Sequence, residues 1–480
     1  MSITIADSRT PDGQSPIDDE TLARALLSYC TDGPDPFMES LMLACRHGLL
    51  DGAWDIWQSI SEERRYPSPG SGPAARKLEE AFARVIRRSN NPHRDAVAGI
   101  RARFRARCSH WTNRASRIPS EHKDGQYAWL SMDGDFWLMA PHHPCWPDRL
   151  NDLALHGDSQ TPLCLWGRGR PEALSTCGHP IAIVGSREAD ESGRRTTYAL
   201  SRAVSGQGHL VISGGAIGID VCAHRAALAV DRNLLMPADD GTLPNPGSTL
   251  AVFAGGLRHI GPARNRDVFA QMLAQGGALI SELSPETIPD ARRFLVRNRI
   301  IAALSGTVVI VQARTRSGAL NTAHWANTLC REVYAIPGSI ETPHHAGCNA
   351  LIRDHQAEAL LNAEELLGSI THSHRSAPQG RTGGSSSEKT PVCRAQLPPV
   401  EARLMGIIMA HSHHAGGLHA GLVMTLANES CVRKRPMPAG KAMLGALRPE
   451  EVFSGLGSLE SRGLIRIDEQ GLITCGDTAS

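Results

Sequence analysis

Residues 211–228 read "VISGGAIGIDVCAHRAAL", and their interpretation decides the fold. An apolar run closes on Gly214, Gly215 and Gly218 and passes at once into a helix-like run. A strand that ends in glycines and opens a helix is a natural seat for phosphate. Glycine lets the backbone come close, and the first helical N–H groups point at the anion. Those phosphates can belong to a dinucleotide, a nucleotide substrate or a nucleic-acid backbone. The dinucleotide pattern needs Gly-x-Gly-x-x-Gly; aligned on Gly215 and Gly218, its first glycine is replaced by Ser213. The acidic residue expected about 20 positions further on falls on Asp239–Asp240, inside the Pro/Gly-rich "MPADDGTLPNPG". Both departures count against a nicotinamide or flavin enzyme.

The surrounding texture is α/β from about 120 to 370. Short apolar runs at 162–167, 181–186, 209–214, 248–254, 277–283, 306–313 and 332–338 read as strands separated by helical patterns. Near-continuous apolar strands with intervening helices predict a parallel sheet covered on both faces, an extended Rossmann-like arrangement that binds ligands at its carboxyl edge. Other loops on that edge share the anion-ready design. In "VGSR", Gly185 and Ser186 turn the chain and Arg187 supplies a fork of donors. "ARNRD" offers Asn265 and Arg266, and "RSGALNTA" offers Arg316, Ser317 and Gly318. Across 284–320, Arg292, Arg293, Arg297, Arg299, Arg314 and Arg316 face only Glu286 and Asp290. Arg297, Asn298 and Arg299 are expected at the opening of a helix, where a basic residue suits a bound phosphate better than the helix dipole. So many such loops on one edge fit an extended polyphosphate.

Composition bounds the rest. Lys+Arg number 50 against 49 Asp+Glu, so a nucleic-acid site has to be a local patch. The 12 cysteines show no metal spacing and read as reduced thiols. The polar, acidic first 20 residues lack a signal-peptide plan and no run is long enough for a membrane span, so a cytoplasmic protein is expected. Residues 1–16 read as a disordered tail and 17–118 as a helical N-terminal domain, with Asp35–Pro36 starting one helix. The arginines of 99–116 are expected on a solvated face. A Ser/Gly/Pro linker spans 371–396, and 397–475 has the outline of a winged helix, its last two strands joined by "DEQG", with protein contact favoured over groove reading. No catalytic residues, metal site or cofactor are expected, and His224 reads as a packed or capping histidine. The competing class is a nucleotide-processing enzyme of the phosphoribohydrolase type, whose "PGGxGTxxE" motif is missing.

In order along the chain, "IAIVGSR", "VISGGAIGIDVCAHRAAL", "GGALISE", "FLVRNRIIAALSGTVVIVQARTRSGALNTA" and "REVYAIPGSI…GCNALI" resemble the DNA-processing protein A family (DprA, also called Smf). The resemblance is strong over about 140–365. It implies a non-catalytic single-stranded DNA-binding protein that protects incoming strands in natural transformation, helps load a RecA-type recombinase and forms homodimers. Carried over, the phosphate-binding set is Gly185, Ser186, Arg187, Ser213, Gly214, Gly215, Gly218, Asn265, Arg266, Arg297, Asn298, Arg299, Arg316, Ser317 and Gly318, with Phe294 stacking a base. Three departures stand out: Ile217 where an arginine is common, "IGPARNRD" in place of an aromatic–proline start, and an insertion at 231–247.

Overall fold

Among the described residues six helices precede the sheet: α1 (Asp19–Thr31), α2 (Pro36–Arg46), α3 (Ala53–Glu63), α4 (Pro73–Arg88), α5 (Arg94–Ala115) and α6 (Lys123–Ser131). Then follow β1 (Trp137–Met139), β2 (Leu165–Gly169), β3 (Ile181–Val184), α7 (Glu191–Gly206), β4 (Val211–Ser213), α8 (Ile219–Leu228), β5 (Thr249–Val252), α9 (Arg266–Ala274) and β6 (Ala278–Ser281). The chain continues through α10 (Ala291–Leu304), β7 (Thr307–Ile310), α11 (Gly318–Thr328), β8 (Glu332–Ala335), α12 (Ala346–Arg353), β9 (Glu358–Ala359) and α13 (Ala363–Arg375). These elements come from a computed structural model. It describes residues 17–375 except 67–69, 71, 89–93, 120–121, 156–159 and 231–247; beyond 375 it describes Leu404, 418–419, Leu456, 465–467 and 472–475.

Among the described residues the sheet has nine strands in the order β1-β2-β6-β5-β4-β3-β7-β8-β9. From β6 to β9 every pair is parallel, as the apolar runs predict. The edge corrects that expectation: β1 pairs antiparallel with β2, and β2 with β6. Those two strands precede the first helical crossover, so nothing forces them parallel.

Alternation along the strands sorts the core into two layers. Ala182, Val184, Val308 and Ile310 pack with Ile300 and Ile301 of α10 and Ala323 and Ala326 of α11. Ile181, Ile183 and Val309 face the other way, against Leu200 and Val204 of α7, Ala223 of α8 and Leu366 of α13. Strands β4, β5 and β6 run outward on one side of β3, while β7, β8 and β9 run outward on the other. The order therefore reverses at β3/β7. The crevice of such a sheet opens above that switch point, at the carboxyl ends of its strands.

The N-terminal helices share a core with the sheet. Leu26, Phe82, Phe104 and Trp111 belong to one buried cluster with Trp166, Phe253, Phe269 and Leu279. Phe82 and Phe104 stack at 4.4 Å between ring centroids. As expected, Asp35 caps α2, accepting from the backbone N–H of Phe37 and Met38, with Pro36 in the first turn. Asp35 also accepts from Trp111 Nε1 at 3.0 Å and pairs with Arg107. Arg114 donates to the Tyr29 carbonyl at 2.8 Å and pairs with Asp32. The arginine run is thus only partly a solvated face, because the buried Asp35 and the part-buried Asp32 and Glu79 pair with several of its members.

The contact pattern divides the chain into 1–378 and 379–480. Helix α13 reaches Arg375, so helix continues into the first residues assigned to the linker; "THSHR" holds no glycine or proline to stop it. In the second unit Ile465–Ile467 and Leu472–Cys475 pair antiparallel, and Leu418–His419 joins the latter. The terminal strand pair is present as read, while most of the helix assigned before it lies outside the described residues. So do the 1–16 tail, the rest of the linker and the 231–247 insertion.

His224 is fully buried. Its Nδ1 lies 2.7 Å from Thr249 Oγ1, which itself donates to the Val211 carbonyl, so the ring donates through Nδ1. Burial, with Arg297 nearby, holds the imidazole down at about 3. Between its ordinary value near 6.5 and about 3, the unfolded chain binds a proton that the folded chain refuses. Stability is therefore lost as pH falls through that window, by up to about 1.4 kcal/mol per unit. Urea unfolding at pH 7 and pH 5 should show a loss about 2 kcal/mol smaller in His224→Gln than in the parent chain. Equal losses would contradict this assignment.

Candidate nucleic-acid interface

The crevice above β3 and β7 is an open cavity of about 550 Å³. Four segments line it: 184–188 at the end of β3, 314–319 leading into α11, one face of α10, and Ala216 with Asp220 at the start of α8. Each is positioned by a local rule. Gly185 must be glycine, since a Cβ there would stand 2.7 Å from Ile219 Cγ1 and 2.9 Å from the Gln312 carbonyl. Ser186 N–H donates to that carbonyl at 2.8 Å, and Ser186 Oγ accepts from Glu188 N–H. Arg187 is left exposed, with its guanidinium 4.6 Å above the Phe294 ring. On the other wall Ser317 caps α11, accepting from Ala319 N–H. Arg316 and Gly318 are exposed beside it. Asn298 Nδ2 donates to the Gly318 carbonyl at 3.1 Å and so ties α10 to that helix start.

Of the predicted set, Gly185, Ser186, Arg187, Phe294, Arg297, Asn298, Arg316, Ser317 and Gly318 meet in this cavity. The others do not. Ser213 is buried, its Oγ donating to the Ile183 carbonyl at 2.7 Å. A Cβ on Gly214 would fall 1.9 Å from Arg297 Nη1, so that glycine makes room for a guanidinium. Gly215 (φ 69°) packs on Phe253 and Phe269. Gly218 (φ 84°) lies under the first turn, where a Cβ would sit 2.2 Å from the Ser186 carbonyl. Asn265 Nδ2 holds the carbonyls of Gly215 and Ala216 at 3.1 and 3.3 Å. The opening stretch is therefore a foundation for the 185–187 turn. Arg266, exposed at the start of α9, is also outside the cavity lining.

The "RNR" segment does not open its helix. Asp290 caps α10, accepting from Arg293 N–H at 2.8 Å, which places Arg297, Asn298 and Arg299 in the second and third turns. Helical spacing then separates them: Phe294, Asn298 and Ile301 face the crevice, while Arg292, Val296 and Arg299 face a different cavity. Arg299 is buried and paired with Glu282.

Two contributors escaped the sequence reading. Asp220, in the first turn of α8, accepts from Ala216 N–H at 3.3 Å and lines the crevice. Burial pushes its carboxyl upward, and Arg297 counters this. Arg297 donates to the Val252 carbonyl at 2.8 Å, and burial holds it down to about 10, still charged at neutral pH. Glu188 pairs with Arg314 at 2.9 Å on the rim. The lining thus carries Arg187, Arg297, Arg314 and Arg316 against Glu188 and Asp220, an excess of two positive charges. An acid at the first turn of a helix was the available signal for Asp220. Among the described residues no three His, Cys, Asp or Glu side chains converge as a metal site would.

The doubly wound sheet thus carries, at its switch point, a cationic crevice with the start of α11 on one wall and Phe294 of α10 in its lining. The family of the chain follows from comparison with known proteins. Residues 137–371 match the family model for DNA recombination-mediator protein A. A putative DNA processing protein DprA from Mycobacterium tuberculosis is 37% identical over 212 residues, covering 44% of this chain and 50% of that protein. DNA processing protein DprA from Bacillus subtilis is 36% identical over 230 residues, covering 48% and 69%. The chain belongs to the DNA processing protein A family. It spans about half the length of the mycobacterial relative. A solved structure of DNA processing protein A from Helicobacter pylori, described for a unique single-stranded DNA binding mode, is 25% identical, with a TM-score of 0.41 over 50% of this chain and 96% of that one.

Proposed function

We propose that this protein binds single-stranded DNA in the β3/β7 crevice and acts in DNA processing and recombination without cleaving or otherwise turning over its ligand. The observation that carries the reading is the convergence of Arg187, Arg316 and the α11 start around Phe294. Arginine forks and free N–H groups hold phosphates without regard to sequence, while an aromatic face accepts any base. Arg187 lies over Phe294; a bound strand slides a base onto the ring and draws the guanidinium to the flanking phosphate. Loading of a RecA-type recombinase, protection of incoming DNA, a cytoplasmic site of action and a homodimer belong to the same proposal and rest on family membership. Among the described residues no helix is long and apolar enough to cross a membrane.

The test is a band-shift titration of the full chain with oligo-dT and with a duplex of equal length. Tighter binding of the single strand, with little change on permuting its sequence, is expected. Tighter binding of the duplex would overturn the reading.

A further inference from the structure

A second cavity, of about 740 Å³, lies between α10, the α1–α2 turn and the end of β6. Its size falls within the ~300–1,000 Å³ range of small-molecule sites. Arg292, Arg293 and Arg299 line it together with Phe37, Phe253 and Trp325. Arg299 is 2% exposed and spends one nitrogen on Glu282, while its Nε and Nη1 find no hydrogen-bond partner among the described residues. Arg293 pairs with Asp32 and Asp290, yet its Nη1 is likewise buried and unpartnered. Arg292 is exposed. Buried guanidinium N–H groups without acceptors are costly, and a ligand that brings oxygens relieves that cost. A phosphate matches the guanidinium fork, and aromatic walls match a planar base.

We propose that this cavity binds a mononucleotide. Its phosphate accepts from Arg292, Arg293 and Arg299, and its base lies against the aromatic wall. The site is separate from the strand-binding crevice and does not rest on the DNA reading, although Arg297 lines both cavities.

Isothermal titration of the full chain with deoxythymidine monophosphate, with inorganic phosphate as comparator, tests this. One-to-one binding is expected, persisting when oligo-dT is present in excess, with phosphate alone weaker. Arg292→Ala and Arg299→Gln should each weaken nucleotide binding about tenfold, the effect of one lost charge-assisted hydrogen bond. Arg187→Ala should leave it unchanged. Arg292 is exposed, so its variant reports on the site even if Arg299→Gln folds poorly. No heat at millimolar nucleotide would overturn the proposal, as would phosphate binding as tightly as the nucleotide. Sensitivity to Arg187→Ala without sensitivity to Arg292→Ala would place the nucleotide in the crevice and overturn it too.

Discussion

Arg299→Ala is expected to lower the free energy of unfolding by about 3–5 kcal/mol, a large part of the ~5–15 kcal/mol typical of a folded domain. The cause is the carboxylate left behind. Arg299 and Glu282 are both more than nine-tenths buried as side chains and form a direct ion pair. Removing the cation strands an anion in a mostly buried position, with no opposite charge to offset its lost hydration. Replacing both partners with uncharged groups, as in Arg299→Met with Glu282→Gln, should recover most of the loss, since two fewer charges then need desolvation. Urea unfolding of the parent, the single and the double variant checks this. A single variant as stable as the parent would show that the pair is not closed in solution.

Arg187→Ala combined with Arg316→Ala should have the largest effect on strand binding. Both side chains are exposed on the crevice, so their loss leaves no buried partner unpaired. Each phosphate contact with a single strand contributes about 0.7 to the log–log salt slope, roughly fivefold in affinity per contact near 0.1 M salt. The double variant should therefore bind oligo-dT roughly 25-fold more weakly while melting at the parent temperature. Arg299 variants that fold should bind DNA normally, because that side chain faces the other cavity.

The parallel centre of the sheet was legible in the sequence because runs such as "IAIV" and "TVVI" are apolar on both faces, which only a doubly covered sheet tolerates. The meeting of Arg187, Arg316 and Ser317 in one crevice was legible because each stands at a strand-to-helix turn, whereas Phe294 was reached only through the family resemblance. Arg299 was misplaced because the start of α10 was set too late. Once Asp290 is recognised as the cap, the spacing of Phe294, Asn298 and Ile301 already puts Arg299 on another face. The glycines of 214–218 carry a true signal for close approach, but sequence cannot say what approaches. Here it is Arg297 and the Ser186 carbonyl in place of a ligand. Asn265 was opaque for a similar reason: its partners are two backbone carbonyls some 50 residues away. The edge strands β1 and β2 pair through contacts that no local pattern encodes.

The salt dependence of oligo-dT binding by the parent chain and the Arg187→Ala, Arg316→Ala double variant tests the crevice most directly. If DNA phosphates sit between these two arginines, the log–log slope of the double variant is shallower by about 1.4, two contacts at 0.7 each. A folded double variant with the parent's slope and affinity would contradict the account and put the strand elsewhere on the protein.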